Sequence, residues 1–467
     1  MSASAPFGPV ECLHRDRMPD CMLPTFSTRT QWDLRETAYA AALRHARSQP
    51  QPIFDLTASN PTTCGFVYED SPWRDLLHAP ECRIYEPNPQ GLRSAREAVV
   101  AYYQEATGAR PDPDSIVLTT STSEAYSFLF RLLCDHGDEV LIAQPSYPLF
   151  EFLADLDHVR LVSYPLFYDH GWHLDLAALR ERITPRTRAI VVVQPNNPTG
   201  HFTKKAERRE LETICEQYGL ALIVDEVFLD YAGNSSRDGL GKFCLNSTVV
   251  PQWLKPDFIA DAYGGTKVPP LQNADSFRDS LDGNNSFATD EHPALTFILS
   301  GLSKVSALPQ MKVAWMLCLG PQDALQQARS RLEIIADTFL SMNAPIQHAL
   351  PGMLASRHAM QRQILERTQA NLSELDRQLQ TQTMISRLTV EAGWYAVLRV
   401  PALGSVDAAA IRLLETERVL AHPGHFYGFA GDGWLVVSLL PPLAEFQEGM
   451  ARMTRFFQSP SAPESLR

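Results

Sequence analysis

From about residue 90 to about residue 320 the chain alternates between segments with helical spacing and short runs that are apolar almost throughout, a pattern few folds accept. Helices are expected from Ser94, Ser123, Pro148 and Lys204. Strands are expected at IVLTT (116–120), EVLIA (139–143), RLVSY (160–164), RAIVVVQ (188–194), ALIVDEV (221–227), LTFIL (295–299) and VAWML (313–317). Strands that are apolar at every position bury both faces, which calls for a mainly parallel sheet covered by helices on each side. The expected fold is therefore α/β. After about 340 a long helical region, Leu354 to Gln380, precedes short strands at TVEA, WYAVLRV and WLVVSLL, the pattern of a smaller α+β domain.

The expected organisation is an N-terminal arm over 1–30, a large domain over 31–340 and a small C-terminal domain over 341–467. A helical pattern from Asp33 to Arg47 and a short strand in IFDLTASNPT, broken at Pro61, read as the lead-in to the large domain. Residues from about 232 to 292 lack sustained periodicity and interrupt the passage between sheet strands, so they read as a surface insertion without a catalytic role.

Composition narrows the function. The 467 residues are 45% hydrophobic and carry a formal charge of −13. Phosphate backbones demand clustered Lys and Arg, so nucleic acid is not an expected partner. The eight cysteines stand without CxxC pairs or histidines at metal-ligand spacing, so no metal site is expected and the thiols suit a reducing cytoplasm. The opening MSASAPFGPVECLHRD shows no basic region before an apolar run, and no apolar run approaches membrane-spanning length. The expected ligand is small.

In open α/β sheets ligands bind beyond the carboxyl ends of strands, so polar residues that follow apolar strands are the candidates. After IVLT, Thr122 and Ser123 open a helix, where free amides and the macrodipole favour an anion such as phosphate, or where a hydroxyl simply caps the helix. After RAIVVVQ, the stiff turn PNNPTG presents Asn197. Asp225 follows four apolar residues, and a carboxylate there needs a partner, either a cationic heterocycle nitrogen or an ordinary salt bridge or cap. Tyr147, after EVLIA, offers a flat ring that stacks on a cofactor or packs as a core or surface residue. Lys304, in SGLSK between two apolar strands, is either a surface loop residue or a desolvated amine able to attack a carbonyl.

Taken together, the NNPTG turn, the DEV strand end and the SGLSK segment resemble the class I/II aminotransferases, pyridoxal-phosphate enzymes of fold type I, from about Asp55 to about Pro442 outside the insertion. The resemblance implies a large α/β domain with a smaller α+β domain and pyridoxal 5′-phosphate as cofactor. It makes Lys304 the Schiff-base lysine, Asp225 the partner of the pyridine nitrogen, Asn197 that of the ring hydroxyl, and Tyr147 the stacking ring. Thr122, Ser123, Ser303 and Lys312 would serve the phosphate. Tyr85 matches a tyrosine that reaches the phosphate of a neighbouring subunit, which implies a homodimer. The implied activity is amino transfer from an amino acid or amine to a 2-oxo acid. Alternatives are a pyridoxal-phosphate lyase or synthase, such as a carbon–sulfur β-lyase, and a non-catalytic sensor.

Four positions depart from the family. Phe228 stands where a tyrosine is usual and cannot donate to the ring oxygen, so the cofactor linkage is expected to titrate higher. Lys312 replaces a commoner arginine, and Gly301 a phosphate-binding serine, for which Ser300 or Ser303 would substitute. Val436 occupies the place of the arginine that grips the substrate carboxylate. Arg399 then either supplies that cation or is a solvent-facing strand residue.

Overall fold

The computed structural model describes residues 26–458 other than 69–74, 76, 149, 233–284, 289–290, 341 and 403–404. Residues to Arg35 form one compact unit and residues from Glu36 another. The described end of the first unit, 26–35, is exposed apart from the half-buried Trp32 and holds one short turn, Thr28–Thr30, capped by Ser27.

The strands of the second unit are, in chain order, β1 Phe54–Asp55, β2 Ile116–Thr119, β3 Glu139–Gln144, β4 Arg160–Tyr168, β5 Trp172–Leu174, β6 Thr187–Val193, β7 Ala221–Asp225, β8 Thr296–Gly301, β9 Ala314–Leu319, β10 Ser386–Arg387, β11 Tyr395–Arg399, β12 Val419–Leu420, β13 His422–Pro423 and β14 Trp434–Ser438. Eight of them form one sheet in the order β2-β9-β8-β7-β6-β3-β4-β5. Its centre, β8 to β4, is parallel, while β9 and β5 run against their neighbours.

Alternate residues of each strand feed two cores, as a period of two requires. Val117, Val140, Ile142, Val191, Ile223 and Leu299 share one core with Phe128 and Leu129 of the helix Thr122–Leu133 and Leu332 of the helix Gln322–Phe339. Leu118, Leu141, Ile190, Leu222, Val224 and Ile298 share the other with Val99 and Tyr103 of the helix Arg93–Thr107 and Ile214 of the helix Lys205–Tyr218. The central strands β7 and β8 are almost wholly apolar because both their faces are covered.

The smaller domain holds the antiparallel sheet β10-β11-β14-β13. Ala396, Leu398, Leu435 and Val437 point into a separate core with the helices Val406–Glu417 and Leu443–Gln458, whereas Val397 and Val436 point the opposite way, into the large domain's core. One expectation needs correction. The helix Ala38–Arg47 and β1 do not lead into the large sheet: Tyr39, Ala46 and Leu56 pack in the smaller core, and β1 pairs in parallel with β12.

Two further segments differ from the sequence reading. The helical region expected as one piece from Leu354 is two helices, Ala344–Ala355 and Arg357–Leu379, divided at Ser356. TVEA forms no strand; Thr389 pairs its hydroxyl with that of Tyr168 at 2.9 Å, and the amide of Ala392 donates to Gly200 O at 2.8 Å. Gly200 has φ +69°, and a Cβ there would lie 2.4 Å from Ala392 O. Only glycine lets the PNNPTG turn sit that close to the smaller domain.

Most of the expected insertion lies outside the described residues. Its described end, 285–288, is docked: Phe287 is fully buried under the guanidinium of Arg208, 4.4 Å from its ring centroid.

Candidate functional site

The candidate residues share one edge of the large sheet because of its topology. Strands β8, β7, β6 and β3 are parallel, so Gly301, Asp225, Val193 and Gln144 end on the same side. Strand β9 runs opposite both β8 and β2, and its Ala314 faces both Gly301 and Thr119, which brings the end of β2 to that edge as well. Thr122, Ser123, Tyr147, Asn197, Asp225 and Lys304 all follow these ends within a few residues.

Lys304 sits on the one-turn helix Leu302–Val305, its backbone carbonyl accepting the Tyr231 hydroxyl at 2.6 Å. Its half-buried side chain carries Nζ over the rings of Trp394, at 4.6 Å, and Phe228, at 5.3 Å. Burial lowers its pKa to about 8, against the opposing pull of the Asp225 charge. At neutral pH a useful share of the amine is therefore unprotonated, which an attacking amine requires.

Asp225 is 7% exposed, and its carboxylate accepts the Tyr126 hydroxyl and the Val227 amide, each at 3.2 Å. Burial raises its pKa to about 6, and those two hydrogen bonds and the Lys304 charge only partly offset the rise. A carboxylate this dry is completed by a cationic partner such as a protonated ring nitrogen.

Asn197 is also buried, and its Oδ1 is without a hydrogen-bond partner among the described residues, while neighbouring Asn196 braces the turn through Pro145 O and Thr199 Oγ1. An orphaned buried acceptor beside Asp225's strand suits a hydroxyl donor from a ligand. Tyr147 is 41% exposed, packs edge-on against Phe150 and feels the Asp225 charge, so its ring borders the same space.

At the helix Thr122–Leu133 the capping residue is Ser121, so neither Thr122 nor Ser123 is the cap. Ser121 Oγ accepts the Glu124 amide at 3.1 Å, and Glu124 Oε2 accepts the Thr120 amide. This leaves the amides of Thr122 and Ser123 unpartnered among the described residues, at the end of the helix dipole that favours an anion. Ser303 is half-buried and Lys312 exposed, both on the chain between β8 and β9. Gly301 is explained by packing: a Cβ would lie 2.8 Å from Val313 O. Buried Ser300 offers its hydroxyl only weakly, to Glu226 O at 3.5 Å.

The buried acceptors and the free amides at the helix end fit pyridoxal phosphate. Two further candidates, Tyr85 and Arg399, make no contact with this group among the described residues. Tyr85 is 77% exposed. Arg399 lies at the far end of β11 from Tyr395, roughly 13 Å along the strand. Its guanidinium covers Trp434 at 4.4 Å and donates to Asp432 O, so it is a strand residue and supplies no cation to the site. Sequence reasoning missed Ser121, Tyr126 and Trp394. The TSTSE run is a signal for the cap, whereas nothing local marks Trp394, which arrives from the smaller domain.

Beneath the site lie two more dry carboxylates. Fully buried Glu226 accepts the Phe287 amide and Ser286 hydroxyl at 2.6 and 2.8 Å, and burial pushes its pKa up to about 7. Asp230 accepts the Tyr102 hydroxyl at 2.9 Å and is raised to about 6. With Asp225 these groups bind protons more tightly folded than unfolded, so the stability they contribute is complete below about pH 4 and is lost as pH rises to about 7. The unfolding midpoint of cofactor-free protein is expected to fall between pH 5 and pH 8, Glu226 alone accounting for on the order of 3 kcal/mol. Thermal scans of wild type and Glu226→Gln check this: the substitution flattens the decline, and an equal slope in both proteins counts against it.

Comparison with known proteins gives the family and agrees with the fold. Residues 74–452 match the family model described as aminotransferase class I and II. The chain is 24% identical over 433 residues to the glutamate-pyruvate aminotransferase AlaA of Haemophilus influenzae, covering 91% of this chain and 95% of the relative. It is 25% identical over 437 residues to an alanine aminotransferase of Mycobacterium bovis, covering 92% and 90%. Among solved structures, the alanine aminotransferase from Pyrococcus furiosus superposes with a TM-score of 0.73 at 21% identity, over 93% of this chain and 100% of the other. An aminotransferase from Escherichia coli gives 0.73 at 20% identity, over 94% and 99%. No helix among the described residues is long and apolar enough to cross a membrane, and no group of His, Cys, Asp or Glu there is able to hold a metal ion. A family match over most of the chain, joined to this fold, places the protein in the class I and II aminotransferases, the pyridoxal-phosphate-dependent enzymes of fold type I.

Proposed function

We propose that this protein moves an amino group between an amino acid and a 2-oxo acid, with Lys304 as the lysine that joins the cofactor. The observation that carries the reading is the Lys304 amine, its pKa lowered by burial, at the strand end next to that of the buried Asp225 carboxylate. When bound, pyridoxal phosphate supplies an electron-accepting ring that stabilises negative charge on a substrate carbon. Asp225 holds the proton of the ring nitrogen, and Asn197 and Tyr147 orient the ring by hydrogen bond and stacking. The Thr122 and Ser123 amides, Ser303 and Lys312 hold the phosphate. With the cofactor bound, Lys304 Nζ would be the base that takes the substrate α-proton and later gives that proton back.

Tyr85, so exposed on this chain, completes the phosphate site of a second copy in a homodimer. Cys64, Cys134, Cys215 and Cys318 are free thiols, in keeping with a cytoplasmic enzyme. The names of the relatives make alanine and glutamate the first donors to try. Holoprotein mixed with either is expected to lose its yellow absorbance and recover it on adding a 2-oxo acid. Ammonia released without any oxo acid would instead mark a lyase, and a spectrum indifferent to every donor would mark a sensor.

A further inference from the structure

On the smaller domain's side of Lys304 stand three polar side chains to which the proposed reaction gives no role. The Tyr395 ring lies 6.5 Å from that of Phe228, itself beside Lys304 Nζ, and the Ser59 side chain neighbours the Tyr395 hydroxyl. The Tyr395 and Tyr427 ring centroids are 6.3 Å apart, and the Tyr427 hydroxyl is 3.0 Å from His422 Nδ1. The backbone carbonyl of Tyr427 accepts the Ser146 amide at 2.9 Å, tying this group to the strand end that carries Tyr147. His422 faces Val436 directly across the β13–β14 pairing.

Val436 is fully buried, in one core with Val397, Tyr427 and Phe429, so the position that would present a cation is apolar and closed. Arg399 is turned to Trp434 and Asp432. The polar groups that adjoin this wall include two phenols and an imidazole.

We propose that the substrate carboxylate is held by neutral donors, the Tyr395 hydroxyl and the Tyr427 hydroxyl backed by His422, in place of the guanidinium that Val436 displaces. The inference rests on the aminotransferase reading and narrows it to amino acids bound without an ion pair. Burial lowers the His422 pKa, so the ring is uncharged at neutral pH. With its proton on Nδ1 it donates to the Tyr427 oxygen and frees the phenolic hydrogen for the carboxylate. Tyr395 is free to exchange its Ser59 neighbour for the ligand. Neutral donors hold a carboxylate less strongly than a bidentate arginine, so affinity is shared among several groups and none dominates.

The test is spectral titration of holoprotein with two probes, 2-aminoisobutyrate and isopropylamine, the same molecule without its carboxylate. Tyr395→Phe and Tyr427→Phe keep the ring packing and remove one donor each. Each is expected to raise the Kd of 2-aminoisobutyrate about tenfold while leaving that of isopropylamine within about twofold. His422→Phe is expected to act only on the carboxylate probe, by about threefold. Equal effects on both probes, or none on 2-aminoisobutyrate, overturn the assignment while the aminotransferase reading stands. Wild-type protein whose spectrum answers neither probe nor any other amino donor overturns that reading and the inference together.

Discussion

Lys304→Ala lowers amino transfer by at least about 10⁴-fold, because one substitution removes both the group that joins the cofactor and the base that moves the α-proton. Single-turnover absorbance with the best donor measures the loss. Borohydride reduction followed by peptide mapping locates the residue: in wild type the cofactor mass stays on the peptide containing Lys304, and in the variant no lysine retains it. The surroundings argue for this lysine. Its Nζ is enclosed by Trp394 and Phe228 and faces the Asp225 charge, so its desolvation is built into the fold. Label on another lysine of wild type, or unimpaired turnover in the variant, would remove the basis of the proposed function.

Asp225→Asn gives the second large effect and separates cofactor attachment from chemistry. Asparagine is nearly isosteric: its Oδ1 still accepts from the Val227 amide and its Nδ2 donates to the Tyr126 hydroxyl oxygen, so the fold and the attachment to Lys304 persist. It cannot balance a positive ring nitrogen. Removal of such a preorganised charge costs about 10²–10³-fold, read as slower loss of deuterium from an α-deuterated donor by proton NMR. A variant that exchanges deuterium at the wild-type rate would show that Asp225 does not serve the ring.

How far these residues were legible depends on how local their determinants are. The strand-end positions of Asn197, Asp225 and Lys304 followed from apolar runs that stop abruptly, and the large sheet followed from strands buried on both faces. The helix Gln322–Phe339 was not legible, because its buried face is made by Ala328, Leu332 and Ala336, two of them too small to mark a period. Strand β5 has three residues and pairs only with β4. The aromatic wall of Trp394, Tyr395 and Tyr427 belongs to another domain, and no spacing in the sequence announces that it meets Lys304. The cap was displaced by one residue because three consecutive hydroxyl residues, Ser121 to Ser123, compete for it, and only geometry selects Ser121.

The pairing of β1 with β12 also governs the order in which the chain can finish folding. The Tyr39 hydroxyl donates to Ala421 O across 382 positions of sequence, so a ribosome delivers one partner long before the other. While the large sheet assembles from its near neighbours, the helix Ala38–Arg47 has nothing to dock on, and it carries apolar surface until the last strands emerge. The smaller layer is therefore the last to consolidate during synthesis, and with it the wall that closes over Lys304.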